Sequence, residues 1–235
     1  MFNKESVDFL KTMNKIANSM VLSYPVTTGR TESADIAYKF DLSKYDTDGF
    51  EAPIGIYDLS TFLNIFGLCN DDRNVKITDN VITVSDNTTS VNFLTSATSV
   101  LTPFEFKQEQ FDKSNSFPSV LEMTFTAEDI RKLKSASSTF HELDTAVISC
   151  DDAVELSLTQ VGKFKKSSNS FRIKKSETGN KQFNIGIALE TLSKIPQVDY
   201  KLCVKYNEPR NAYRIILTTD KIEGLEMIIS VKNVE

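Results

Sequence analysis

Apolar residues recur along this chain in two registers, one suited to strands and one to helices. The clearest passage from one to the other is IGIYDLSTFLNIFGLCNDD at residues 54–72. The initial Ile-Gly-Ile is a short apolar run of the kind a buried strand carries, and Leu59, Phe62, Leu63 and Phe66 then fall at helical spacing. Asp58 is a residue type that caps helices, and Asn70-Asp71-Asp72 stops this one. The order returns at Ile185 as IGIALETLSKIP, displaced by 131 residues (185 minus 54), with Pro196 ending the helix. An internal duplication is the simplest account.

The remaining pattern extends it. Behind the N-cap candidate Asn3, one apolar set at Val7, Leu10 and Ala17 and another at Phe9, Met13, Ile16 and Met20 predict a long amphipathic helix. Lys4, Lys11 and Lys15 project from its other face. Strands are expected at 20–24 and 36–42, around a turn at Thr28-Gly29-Arg30, and again at 52–57. Alternating Val75, Ile77, Ile82 and Val84 around Asp79-Asn80 predict a hairpin, followed by a strand at 90–95. From Thr102 to Pro118 the pattern lapses into polar residues with scattered phenylalanines, bracketed by Pro103 and Pro118, which reads as a linker.

The second half repeats the order. A strand at 121–125 leads into a helix that begins with the capping-box pair Thr126 and Asp129 and runs to about Phe140. Its core face is expected to be Ile130, Leu133, Ser137 and Phe140, with Arg131, Lys132 and Lys134 exposed. Strands follow near 146–150, 154–160, 170–174 and 182–187, then the short helix 189–195 and closing strands at 200–206, 212–218 and 225–231. Four helices and roughly sixteen strands are too few helices to cover both faces of a parallel sheet. The fold class expected is α+β, in two similar half-domains at 1–102 and 121–235 joined by a connector at 103–120, each an antiparallel sheet with two helices on one face.

Composition narrows the function. With 40% hydrophobic residues, 25% charged, 8 Gly and 6 Pro, the chain has the make-up of a folded globular protein. There is no apolar run long enough for a membrane span, and MFNKESVDF lacks the apolar core of a signal peptide, so a cytosolic location is expected. A net charge of −5 disfavours a uniformly basic nucleic-acid binder, yet lysines gather on the first helix of each half. By itself each such face reads more readily as a solvated surface than as a binding one.

Chemistry finds few candidates. His141 is the only histidine, at a helix end where a capping role suits it, and no GxSxG, Walker loop, GxGxxG or HExxH is present. Asp71-Asp72 and Asp151-Asp152 lie where the chain must turn, which explains them without a metal. Cys69, Cys150 and Cys203 are far apart and read as buried thiols. The basic run KFKKSSNSFRIKK at 163–175 reads either as a nucleic-acid patch or as a loop entering an edge strand. The expectation is a binding scaffold, with no enzyme activity, no cofactor and no metal.

The pattern IYDL...FL.I..L.NDD at 56–72, the lysine-bearing first helix, the two-half layout and the length together resemble the DNA polymerase sliding clamps of T-even-type bacteriophages. That resemblance implies a closed homotrimeric ring, pseudo-six-fold and similar in architecture to proliferating cell nuclear antigen. Its helices line a hole that holds duplex DNA without sequence readout. An ATP-dependent clamp loader opens the ring and a DNA polymerase is tethered to it, with late-transcription factors as further partners, in the cytoplasm of an infected bacterial host. A sliding ring needs diffuse positive potential on its inner wall, which Lys4, Lys11, Lys15, Arg131, Lys132, Lys134 and Lys194 would supply. Edge-strand pairing between subunits is implied for Val91 and Phe93 against Phe171 and Ile173. A partner-peptide pocket is implied near Phe104, Phe106, Phe111, Phe117, Met227 and Ile229. The alternative is a structural or assembly protein of a virus particle. A single-strand binder is disfavoured by the absence of Trp.

Overall fold

Asn3 opens the first helix: its side-chain oxygen accepts the Ser6 amide at 2.9 Å, and α1 runs Lys4–Met13 with Val7, Phe9, Leu10 and Met13 buried. The computed structural model describes residues 2–45, 49–78, 80–161 and 169–234. Asp79 of the expected hairpin turn and residues 163–168 of the basic run lie outside the described residues. The chain divides into two units, Met1–Lys107 with Ile222–Leu225, and Gln108–Lys221 with Glu226–Glu235.

In the first unit α1 stops at Met13 instead of continuing toward Met20. The amides of Lys15 and Ile16 tighten onto the carbonyls of Thr12 and Met13, and the chain then turns so that Asn18 receives the amides of Leu59 and Ser60. Ile16 and Ala17 remain buried in that turn, so apolar periodicity outlasts the helix. Strands β1 (Met20–Leu22), β2 (Val26–Arg30), β3 (Ile36–Asp41) and β4 (Ile54–Ile56) follow. Thr28, Gly29 and Arg30, expected as a turn, belong to β2, which pairs with β3 through Val26↔Asp41 to Arg30↔Ala37. The reversal falls at residues 31–35, where the Thr31 amide donates to the Ile36 carbonyl and Ala34 takes a left-handed φ of 55°.

Helix α2 (Leu59–Phe66) forms where the sequence places it, with Asp58 accepting the Thr61 amide at 3.0 Å. Leu59, Phe62, Leu63, Ile65 and Phe66 are all buried. Strands β5 (Asn74–Thr78), β6 (Val81–Ser85) and β7 (Ser90–Leu94) make an antiparallel meander with β7 at one edge. Phe2, Phe62, Phe66 and Phe93 close the core as edge-to-face pairs with centroids 5.1 to 6.1 Å apart.

In the second unit the expected linker holds a helix, α3 (Gln108–Asn115). Only Phe111 and Ser114 on it are buried, one apolar residue in two turns, so no periodicity could mark it. β8 (Ser119–Phe125) leads into α4 (Ala127–Thr139), whose capping box joins Thr126 and Asp129 as the sequence predicts. Its buried face is Asp129, Ile130, Leu133 and Ala136, with Ser137 and Phe140 only half-buried. Strands β9 (Thr145–Cys150), β10 (Val154–Thr159), β11 (Phe171–Lys174) and β12 (Phe183–Ala188) pair antiparallel in the order β11-β10-β9-β12, with β11 at the edge. Next come α5 (Leu189–Lys194), β13 (Tyr200–Asn207), β14 (Ala212–Thr218), β15 (Glu226–Ser230) and β16 (Lys232–Asn233). The ladder β8-β13-β14-β15 is antiparallel, and β16 adds to β12. Of the three cysteines, Cys150 is buried, while Cys69 and Cys203, expected to be, are half-buried.

The duplicated Ile-Gly-Ile serves one purpose in both units. β4 pairs with β1 (Met20↔Ile56) and runs into α2, while β12 pairs with β9 (Ala146↔Ile187) and runs into α5. At each glycine a later segment crosses closely. Gly55 bridges to Ser96, whose carbonyl oxygen would lie 2.3 Å from an added Cβ. Gly186 pairs with Lys232, and an added Cβ would stand 2.6 Å from Thr145 Cγ2 and 2.8 Å from Val234 Cγ2.

Candidate nucleic-acid interface

The cations of α1 occupy its exposed face. Lys4 and Lys15 are exposed, and Lys11 donates to Asp8 Oδ1 at 2.8 Å in a pair more than half open to solvent on both sides. The Lys11 amine at its oxygen, with Lys11 and Lys4 charges nearby, holds the Asp8 carboxyl below the usual aspartate range. An exposed pair of this kind adds little stability. Its main effect is to neutralise one cation locally.

On α4 the cations are more heavily engaged. Arg131 grips Glu128 with two bonds of 2.6 Å, and Lys132 Nζ stands 3.7 Å from the same carboxylate. The Arg131 hydrogen bond first, then the charges of Arg131 and Lys132, lower the Glu128 pKa. Lys134, expected among the exposed bases, is half-buried and donates to the carbonyls of Ser193 at 3.3 Å and Ile195 at 3.0 Å, near the end of α5. Lys194 is also largely covered, 22% exposed, with Nζ 3.7 Å from Glu190. Lys4, Lys11, Lys15, Arg131 and Lys132 therefore carry the accessible positive charge of these helices.

One cation was not singled out in the sequence. Arg73, after α2, lines a cleft of about 430 Å³ between α1 and α2 together with Lys4 and Lys11. Its only sequence signal is a position one residue beyond the Asn70-Asp71-Asp72 stop, where turn chemistry explains the neighbours and hides the arginine.

The expected interface strands β7 and β11 are both sheet edges. Val91, Phe171 and Ile173 are half-buried, but Phe93 is 4% exposed and packs on Tyr57 and Phe62, so its side chain belongs to the core of its own unit. Leu94 on β7 is 67% exposed instead. The expected peptide-pocket residues divide between the units. Phe104 lines a cleft of about 380 Å³ in the first unit with Val21, Thr28, Pro53 and Leu101. Phe106 and Phe117 are half-buried, whereas Phe111, Met227 and Ile229 are fully buried and line no surface. His141 is exposed in the turn after α4. Among the described residues no helix is long and apolar enough to cross a membrane, and no three His, Cys, Asp or Glu side chains are grouped to hold a metal.

No protein-family model matches the sequence, and no curated protein is similar enough in sequence to count as a match. Solved structures do share the fold. Proliferating cellular nuclear antigen from Entamoeba histolytica matches with a TM-score of 0.65 at 15% identity, over 98% of this chain and 97% of that one. The DNA polymerase III β subunit from Pseudomonas aeruginosa matches with a TM-score of 0.64 at 10% identity, over 99% of this chain, which spans 63% of that one. The proliferating cell nuclear antigen of A. fulgidus, solved with the C-terminal region of FEN-1 bound, matches with a TM-score of 0.61 at 10% identity, over 98% of this chain and 96% of that one. The chain has the α+β fold of proliferating cell nuclear antigen.

Proposed function

We propose that this chain is a DNA sliding clamp, a non-enzymatic processivity factor that encircles duplex DNA and tethers a polymerase. The observation that carries the reading is the clamp fold over nearly the full length of both this chain and proliferating cellular nuclear antigen. Exposed cations on α1 and α4 support it, since sequence-independent binding to DNA rests on phosphate neutralisation. Free edges at β7 and β11 suit head-to-tail closure of three copies into a ring, one copy's β7 against the next copy's β11. The Phe104 cleft is of a size to take an apolar side chain of a partner peptide.

The finer reading is a clamp of the T-even bacteriophage type, opened by an ATP-dependent loader and acting in the cytoplasm of an infected bacterium, with late-transcription factors as further partners. It rests on the IYDL...FL.I..L.NDD pattern. Light scattering tests the ring: a mass of three chains supports it, and a monomer throughout the micromolar range overturns it. Polymerase stimulation on DNA with blocked ends, dependent on loading, tests the function. Equal synthesis with and without the protein removes it.

A further inference from the structure

We infer that the cleft between α1 and α2 is a seat for one phosphate group of a nucleic-acid backbone, with Arg73 as its floor and Lys4 and Lys11 at its rim. Lys4 and Lys11 are seven residues apart on α1, two turns along one face, and both reach the cleft that Arg73 enters from the other side. The Arg73 side chain is only 10% exposed. Its guanidinium carbon lies over the Phe66 ring, 5.2 Å from the centroid, a cation–π contact that holds the side chain against α2. Its Nε is shielded from solvent and has no hydrogen-bond partner, and Nη1 stands 3.7 Å from Asp71 Oδ1, too far for a hydrogen bond. A largely buried arginine that keeps an unpartnered Nε–H and only a loose ion pair is poised for an incoming anion, and its planar fork matches phosphate oxygens.

Two carboxylates oppose this and are outweighed. Asp8 is held by Lys11, and Asp71 is 91% exposed and free to turn into solvent, so three cations face two anions in the cleft. In the second unit Lys134 instead spans from α4 to the carbonyls at the end of α5. A phosphodiester fits the seat better than an acidic peptide, because exposed Lys15 continues the positive face of α1 beyond the cleft, as a continuous polyanion requires. That the phosphate comes from duplex DNA rests on the clamp reading, whereas the anion chemistry rests on the cleft alone.

Side-chain Nε–H NMR of the arginines tests it on the intact protein, titrated separately with inorganic phosphate, a short blunt duplex and a poly-glutamate peptide. Saturable shifts of the Arg73 signal with phosphate and duplex are expected. Arg73→Gln should weaken duplex binding roughly threefold to tenfold and flatten its salt dependence, with Arg73→Lys recovering part of the loss. An Arg73 signal that neither phosphate nor duplex moves overturns the seat, even if the protein forms trimers and stimulates a polymerase. A shift with poly-glutamate alone overturns it in favour of a carboxylate ligand. A shift with phosphate in a protein that proves monomeric and inert toward polymerase upholds the seat and removes the clamp reading.

Discussion

The amine of Lys134 donates to the backbone carbonyl of Ile195 at 3.0 Å, tying α4 to the end of α5. Helical periodicity places this lysine among exposed bases, but its charge is spent on carbonyls that end a helix. Lys134→Met keeps the length of the side chain and removes the amine. It should lower stability by about 1 to 2 kcal/mol in urea unfolding. Duplex affinity should change by less than about twofold, since no phosphate contact is lost. A large loss of duplex binding in a protein of unchanged stability would return Lys134 to the DNA surface.

Asp129 joins two structures, the N-terminal cap of α4 and an ion pair with Lys175 at 2.8 Å, where both side chains are largely covered. Burial works to raise its pKa, but the hydrogen bonds from Lys175 and Thr126 outweigh burial and leave the carboxyl below its ordinary value. The stabilisation is therefore complete above the unfolded-state pKa of about 3.9 and is lost as pH falls through the lower folded-state value. Asp129→Asn should cost about 2 kcal/mol at pH 7. The gap between variant and parent should narrow steadily below about pH 4, as read from urea midpoints. A gap that is constant from neutral to acid pH would show that the carboxylate charge contributes nothing.

The two glycines of the repeat should differ in their tolerance of a methyl group. At Gly55 the obstacle is the Ser96 backbone carbonyl, which moves only if the strand crossing moves. At Gly186 the obstacles are the methyl ends of Thr145 and Val234, which can change rotamer. Gly55→Ala should cost about 2 to 3 kcal/mol and Gly186→Ala about 1 kcal/mol or less. Thermal or urea unfolding of the pair decides it, and equal costs would mean that the two crossings are equally rigid.

Much of this fold was legible because caps and turns agreed with periodicity. Asp58 before Leu59, and Thr126 with Asp129, mark helix starts that the structure reproduces, and the Ile-Gly-Ile repeat marks the strand before α2 and α5. Where the sequence misled, a buried segment imitated the wrong element. Ile16 and Ala17 kept the helical period through a turn, and Thr28-Gly29-Arg30 held turn residues inside a paired strand. Helix α3 stayed hidden because one buried phenylalanine sets no period. At the candidate interface, residue type predicted where lysines begin but not where their amines end. Lys134 reaches backbone carbonyls, Arg131 folds back on Glu128, and Arg73 sinks against Phe66, each decided by a neighbour that the period of the helix does not name.

Those same-turn partners allow a prediction of gained function. Asp8 and Glu128 each sit beside the cations that would meet DNA, and both carboxyls are held in the charged form by the bases they neutralise. Removing the negative charge while keeping the shape, by Asp8→Asn and Glu128→Gln, frees Lys11 in one case and Arg131 with Lys132 in the other. Exposed pairs of this kind hold little folding stability, so both variants should unfold close to the parent protein. Duplex affinity should rise, and its dependence on salt should steepen by about 0.9 in the logarithmic slope for each cation that gains a phosphate. The double variant should exceed either single variant, since the two sites lie on separate helices. The check is a salt series of duplex binding by fluorescence anisotropy. Unchanged affinity in both variants would show that these faces of α1 and α4 do not meet DNA, and a gain in only one would assign the contact to that helix.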